Sequence, residues 1–113
     1  MPMPSRLKIG GFWFPVRCDP ADKDFLDSHQ AVGRTSTFPR QVLIDASVDL
    51  PRRQETLIHE VLHLASGNSG LRETWAKKEE EYVNRLALSL HQILTDNPEI
   101  LTFLGERDAI EEG

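Results

Sequence analysis

Two periodicities divide the chain. Up to Pro51, short apolar runs are cut by Gly and Pro, whereas beyond it apolar residues recur at helical spacing with few breakers. Leu7 to Val16 (LKIGGFWFPV) sets β-branched and aromatic residues around Gly10-Gly11, the pattern of a hairpin or a bent strand. Pro15 argues for an edge position, and Phe12, Trp13 and Phe14 for sheet core. Arg17 to Arg34 is polar, with Asp19, Asp22, Asp24 and Asp27, and predicts a turn plus one short element. Gln41 to Ala46 (QVLIDA), bounded by Pro39 and Ser47, reads as a strand.

Leu57, Ile58, Val61, Leu62, Leu64 and Ala65 then mark a first helix, with Pro51 fitting its first turn and Gly67 its stop. After a break at Asn68 to Leu71, the apolar positions Tyr82, Val83, Leu86, Ala87, Leu90 and Leu94 mark a long second helix from about Arg72 to about Thr95. Asn97-Pro98 opens a short third helix ending near Leu104. The expected fold class is α+β: one domain over residues 1–113, with a small antiparallel or mixed N-terminal sheet packed on two helices and a short C-terminal helix. The ends, about 1–6 and the acidic stretch 105–113, are expected to be flexible.

Composition narrows the setting. The chain has 113 residues, 39% of them hydrophobic, which supports one modest core. Thirteen Lys and Arg against eighteen Asp and Glu leave a net charge of −5, a poor basis for direct nucleic-acid binding. A single cysteine, Cys18, makes no internal disulfide, and Met1-Pro2-Met3-Pro4 lacks the pattern of a signal peptide. No stretch has the apolar length of a membrane span. A cytoplasmic protein is expected, with no membrane partner.

The chemistry concentrates at His59-Glu60-Val61-Leu62-His63, an H-E-x-x-H pattern inside the strongest helical period of the chain. On a helix, the two histidines project from one face a turn apart, so both imidazoles can reach one metal ion. With His59 at zero, His63 falls at about 40° and Glu60 at about 100°, and apolar residues occupy most of the remaining circumference. Such a helix should be buried, and burying two histidines and a carboxylate without partners costs several kcal/mol. A bound Zn2+ would remove that cost. His59 and His63 are then metal ligands, and Glu60 is the general base that takes a proton from water. Zinc needs a third protein ligand. Position 69 is Ser69, so a third histidine six residues on is absent, and the second helix offers Glu79, Glu80 and Glu81 instead. Periodicity alone puts Glu79 nearer the apolar face.

With a glutamate helix following H-E-x-x-H, the sequence resembles the gluzincins, the thermolysin-like zinc peptidases. Glu80-Glu81-Tyr82-Val83-Asn84-Arg85-Leu86-Ala87 is also similar to the E-x-x-(A/V)-N-x-(F/L)-A segment of the ImmA/IrrE group of metallopeptidase-like proteins. The resemblance implies that Glu80 is the third ligand, with Glu79 as its rival, and that Asn84 orients His59 or Glu80. It implies a zinc-dependent peptidase acting on a peptide or protein substrate. The substrate is expected to lie along the edge of the strand before the active-site helix, Gln41 to Ala46. Tyr82, His91 and Arg34 are the candidate donors to an oxyanion. Small phage-encoded gluzincin-type proteins of this length share the order of elements. They imply an upper subdomain with little to form a second wall of the cleft after Leu104. Two further readings follow: a non-catalytic, zinc-organised module that binds a protein partner, and a regulator associated with DNA-binding repressors. His29 and His91 otherwise read as surface histidines. Cys18 reads as a buried structural thiol, with a latent fourth-ligand role as the alternative.

Overall fold

The structure, a computed structural model, describes residues 3–107. Gly10 and Gly11 both take positive φ, 58° and 86°, the conformation a two-residue hairpin turn demands. They join β1 (Arg6–Ile9) to β2 (Phe12–Arg17) in antiparallel register, with Leu7 opposite Phe14. Arg6 is already in the ladder and Ser5 accepts from the Val16 N–H, so pairing starts inside the segment expected to be flexible.

A 3-10 turn at Pro20–Asp22 and a short helix, α1 (Lys23–Ser28), lead into β3 (Gly33–Thr37), which the polar sequence gives no reason to expect. β4 (Arg40–Ile44) follows, starting one residue before the apolar run QVLIDA. The sheet order is β1-β2-β4-β3, with β2 and β4 parallel and the other pairs antiparallel, so the sheet is mixed.

This order corrects two expectations. Pro15 is not on an edge strand, because β2 lies between β1 and β4. Its missing N–H is tolerated for a local reason: Val16 donates toward β1, so the Pro15 nitrogen faces the other side, where pairing with β4 begins only at Val16. The apolar strand β4 is also interior, and the free edge beside it belongs to β3. Of the three aromatic residues, only Phe14 is core. Trp13 points to the opposite face under the Arg6 guanidinium, and Phe12 lies at the hairpin end under Arg40.

Helix α2 (Leu50–Ser69) is capped by Asp49, whose carboxylate accepts from the Arg52 N–H at 3.0 Å. It runs through Gly67 and stops at Gly70, which takes the left-handed conformation with φ 82°. Phe14, Val42, Ile44 and Leu64 form the core between sheet and helix, with Leu57 and Cys18 packed against them. α2 is less buried than its apolar circumference suggests. Thr56, Glu60, Leu64 and Ser66 are its buried residues, while Ile58, Val61 and Leu62 are half-buried and Ala65 is exposed. With only a sheet and one long helix against it, this small chain does not enclose α2.

The expected long second helix is interrupted. α3 (Leu71–Trp75) ends where Ala76 takes φ 50° and ψ −122°. A 3-10 turn, Ala76–Lys78, then delivers α4 (Glu79–Asp96), which packs along α2 through Val83 and Ala87. α5 (Pro98–Gly105) packs on α4 and leaves Leu101, Phe103 and Leu104 exposed. The fold is α+β, as the sequence predicts. No helix among the described residues is long and apolar enough to cross a membrane. Of the acidic tail, residues 108–113 lie outside the described residues.

Candidate metal centre

Spaced one helical turn apart, His59 and His63 turn their rings toward one point: the ring centroids are 4.8 Å apart and the two Nε2 atoms 3.2 Å apart. The reversal from α3 to α4 sets the first turn of α4 opposite them. Glu80 reaches across with one carboxylate oxygen 3.0 Å from His59 Nε2 and the other 2.8 Å from His63 Nε2. One ligand atom from each of the three residues lies within 4.8 Å of the others, so the group could hold a metal ion.

The residues fit such an ion. At metal–ligand bonds of about 2.0–2.2 Å, tetrahedral ligand atoms stand roughly 3.3–3.6 Å apart, close to the triangle that these side chains form. Burial lowers the pKa of His59, and the nearby His63 adds to this against the opposing pull of Glu80, favouring the neutral, ligating form. Two imidazoles and a carboxylate are a borderline-hard N/O donor set suited to zinc.

Glu79 is the neighbour that periodicity put forward as the rival ligand, and it stands behind the cluster instead. One of its oxygens hydrogen-bonds His63 Nδ1, and the other accepts from Arg72 Nε at 2.9 Å. Arg72 Nη2 also donates to the His63 carbonyl at 2.8 Å. Burial pushes the Glu79 carboxyl upward, but hydrogen bonds and charge from His63 and Arg72 outweigh it and hold the group below its ordinary value. A carboxylate on the far ring nitrogen fixes the tautomer and orientation of a ligating histidine. Asn84 does not fill the orienting role expected of it. It lines the hollow with His59 and Glu80, but among the described residues its side chain makes no hydrogen bond to either.

Glu60 is 5% exposed, and burial pushes its carboxyl up to about 7 against the lowering pull of His63 and the Thr35 backbone. One of its oxygens is 3.9 Å from His59 Nε2. Gly33 on β3 makes this seat possible: a Cβ there would come within 2.5 Å of Thr56 Cγ2 and 3.2 Å of the Glu60 carboxylate.

Two open hollows meet at the cluster and share Ala31, Gly33, His59, Glu60 and Glu80. One, of about 250 Å³, extends toward Arg52, Glu55 and Asn84; the other, of about 330 Å³, extends toward Arg34, Thr35 and Arg72. Of the three candidate oxyanion donors, only Arg34 lines a hollow of the cluster. Tyr82 stacks edge-on with Trp75, and His91 bonds the Gln54 side chain at 3.0 Å. His29 caps α1 through the Phe25 carbonyl. Cys18 is half-buried against the core rather than fully buried, and it lies apart from the three clustered residues.

Sequence reasoning missed Arg72, Gly33 and Thr56. Arg72 left a weak signal, a cation shortly before the glutamate run, whereas the other two matter only because β3 lies against α2. No protein-family model, curated protein or solved structure matches the chain.

Proposed function

We propose that this protein is a small zinc-dependent metallopeptidase hydrolysing peptide bonds, with His59, His63 and Glu80 as ligands and Glu60 as general base. The observation that carries this reading is the convergence of the three ligand atoms beside a buried carboxyl. A zinc ion held there supplies a Lewis acid for the scissile carbonyl and lowers the pKa of water toward about 7. The chain's own residues do the rest. Glu60 accepts the proton of the attacking water and returns it to the leaving amine. Glu79, anchored by Arg72, keeps the His63 ring in ligating orientation. The free edge of β3, not β4, is the strand along which an extended substrate adds, because β3 borders both hollows and has one unpaired side.

Zinc counting on metal-depleted and reloaded protein tests the site. About one zinc per chain is expected, lost in the double variant His63→Ala, Glu80→Gln. Cleavage of a peptide library that disappears in Glu60→Gln while zinc stays bound is the expected outcome for activity. A second reading, a zinc-organised module without turnover, is favoured by one observation: among the described residues, α5 packs on α4 and builds no wall facing β3. Zinc binding without cleavage of any library peptide would select it.

A further inference from the structure

The two hollows differ in charge. On the side toward the start of α2, the Arg52 guanidinium is matched by Glu55, whose carboxylate lies 3.3 Å away, and Gln30 and Asn84 are neutral. On the β3 and α3 side, the lining brings Arg34 and Arg72 to the cluster. Arg72 spends Nε on Glu79 and Nη2 on the His63 carbonyl. Arg34, exposed on the edge strand, has no carboxylate within ion-pair distance among the described residues, and its guanidinium carbon lies 5.7 Å from the centre of the Phe25 ring. Glu79 is committed to His63 and Arg72 and Glu80 to the two histidines, while Glu60, the other carboxyl lining this hollow, is buried. An unmatched guanidinium on the lining of an open hollow attracts a carboxylate, which it can bind through two parallel hydrogen bonds.

We propose that the hollow between β3 and α3 selects, through Arg34, a peptide that carries a carboxylate on one side of the bond placed at the His59–His63–Glu80 cluster. This rests on the peptidase reading above and adds a substrate class to it: acidic peptides, recognised by either a Glu or Asp side chain or a free C-terminus. Arg34 is a specificity residue here, remote from the proton transfer of Glu60.

Binding separates the two ideas, because it needs no turnover. Zinc-reloaded Glu60→Gln protein is titrated against three fluorescein-labelled Ala/Leu heptapeptides: a neutral C-terminal amide, the same amide with one internal Glu, and the neutral peptide with a free carboxylate. One or both carboxylate peptides are expected to bind at least tenfold tighter than the neutral amide, and which one does so identifies the source of the charge. Added to this background, Arg34→Gln should erase that advantage with zinc still at one per chain, and Arg34→Glu should transfer it to a peptide with Lys in place of Glu. Equal binding of all three peptides, no binding of any, or an advantage that survives Arg34→Gln overturns the proposal. If zinc is absent from the reloaded protein, the metallopeptidase reading fails on its own; the same titration then still decides whether Arg34 selects carboxylates.

Discussion

Glu79 and Glu80 are adjacent in sequence and identical in chemistry, yet a 100° step on α4 gives them different work. Glu80, its side chain 63% exposed, stands over the two Nε2 atoms, while Glu79, at 12%, is wedged between His63 and Arg72. Periodicity identified the more buried of the two correctly, and the structure sets the less buried one over the two imidazoles. Glu79→Gln should retain one zinc per chain but bind it about 10- to 100-fold more weakly, as expected when a group supporting a ligand histidine is lost. Competition with a chelator measures the shift. Asn84→Ala should leave zinc affinity within a factor of about two, since no hydrogen bond links Asn84 to a ligand.

A different buried carboxylate sets an acid limit. Asp45 accepts from the Ser47 N–H and hydroxyl at 2.9 and 2.7 Å and from Lys23 Nζ at 2.9 Å, and these bonds hold its pKa at about 2. A depressed folded-state pKa gives stability that is complete above the unfolded value near 4 and is lost as pH falls through about 2. Asp45→Asn should cost about 2 kcal/mol at neutral pH and flatten the denaturation profile between roughly pH 4 and 2, read by urea melts across that range.

At the scale of elements, β3 decides where the site opens, and it was the least legible part of the sequence. The helices, the hairpin and β4 follow from apolar period and turn residues. β3 (GRTST) has no apolar alternation, because it is an edge strand whose Gly33 meets α2 directly and whose pairing partner β4 supplies the hydrophobic residues. Without it, β4 looked like an edge and Pro15 like an edge marker. The break in the second helix was equally hidden, since Ala76 carries no signal for its positive φ. The grouping of His59, His63 and Glu80 survived these errors: the H-E-x-x-H spacing sets two of the side chains on one face locally, and the third requires only that α4 return against α2. Gly33→Ala tests the β3–α2 contact. Its methyl would stand 2.5 Å from Thr56 Cγ2, so the variant should lose about 1–3 kcal/mol. Adding Thr56→Ser removes that methyl and should restore most of the loss, a non-additivity that thermal melts of the four proteins would reveal.

For the whole molecule, the placement of His59, His63 and Glu80 on two helices also bears on stability. α2 contributes His59 and His63, α4 contributes Glu80, and the contact between these helices is the largest between any two elements of the fold. That contact is thinly filled, with Val83 and Ala87 the only buried side chains of α4. The described residues extend 48 Å along their longest axis, and Leu101, Phe103 and Leu104 add apolar surface on the outside without adding core. An ion shared by α2 and α4 would therefore join the two helices where packing is sparse. Binding to the folded state alone stabilises by about 2.7 kcal/mol at a hundredfold excess over Kd. For a domain of this size each kcal/mol moves Tm by roughly 4–8 °C, so zinc at that excess should raise Tm by about 10–20 °C. Glu80→Gln should abolish the rise. It should change the metal-free Tm little, because the Glu80 side chain is mostly exposed and contributes no core packing. Scanning calorimetry of both proteins with and without zinc reads the two effects, and a zinc-induced rise undiminished in Glu80→Gln would remove Glu80 from the ligand set.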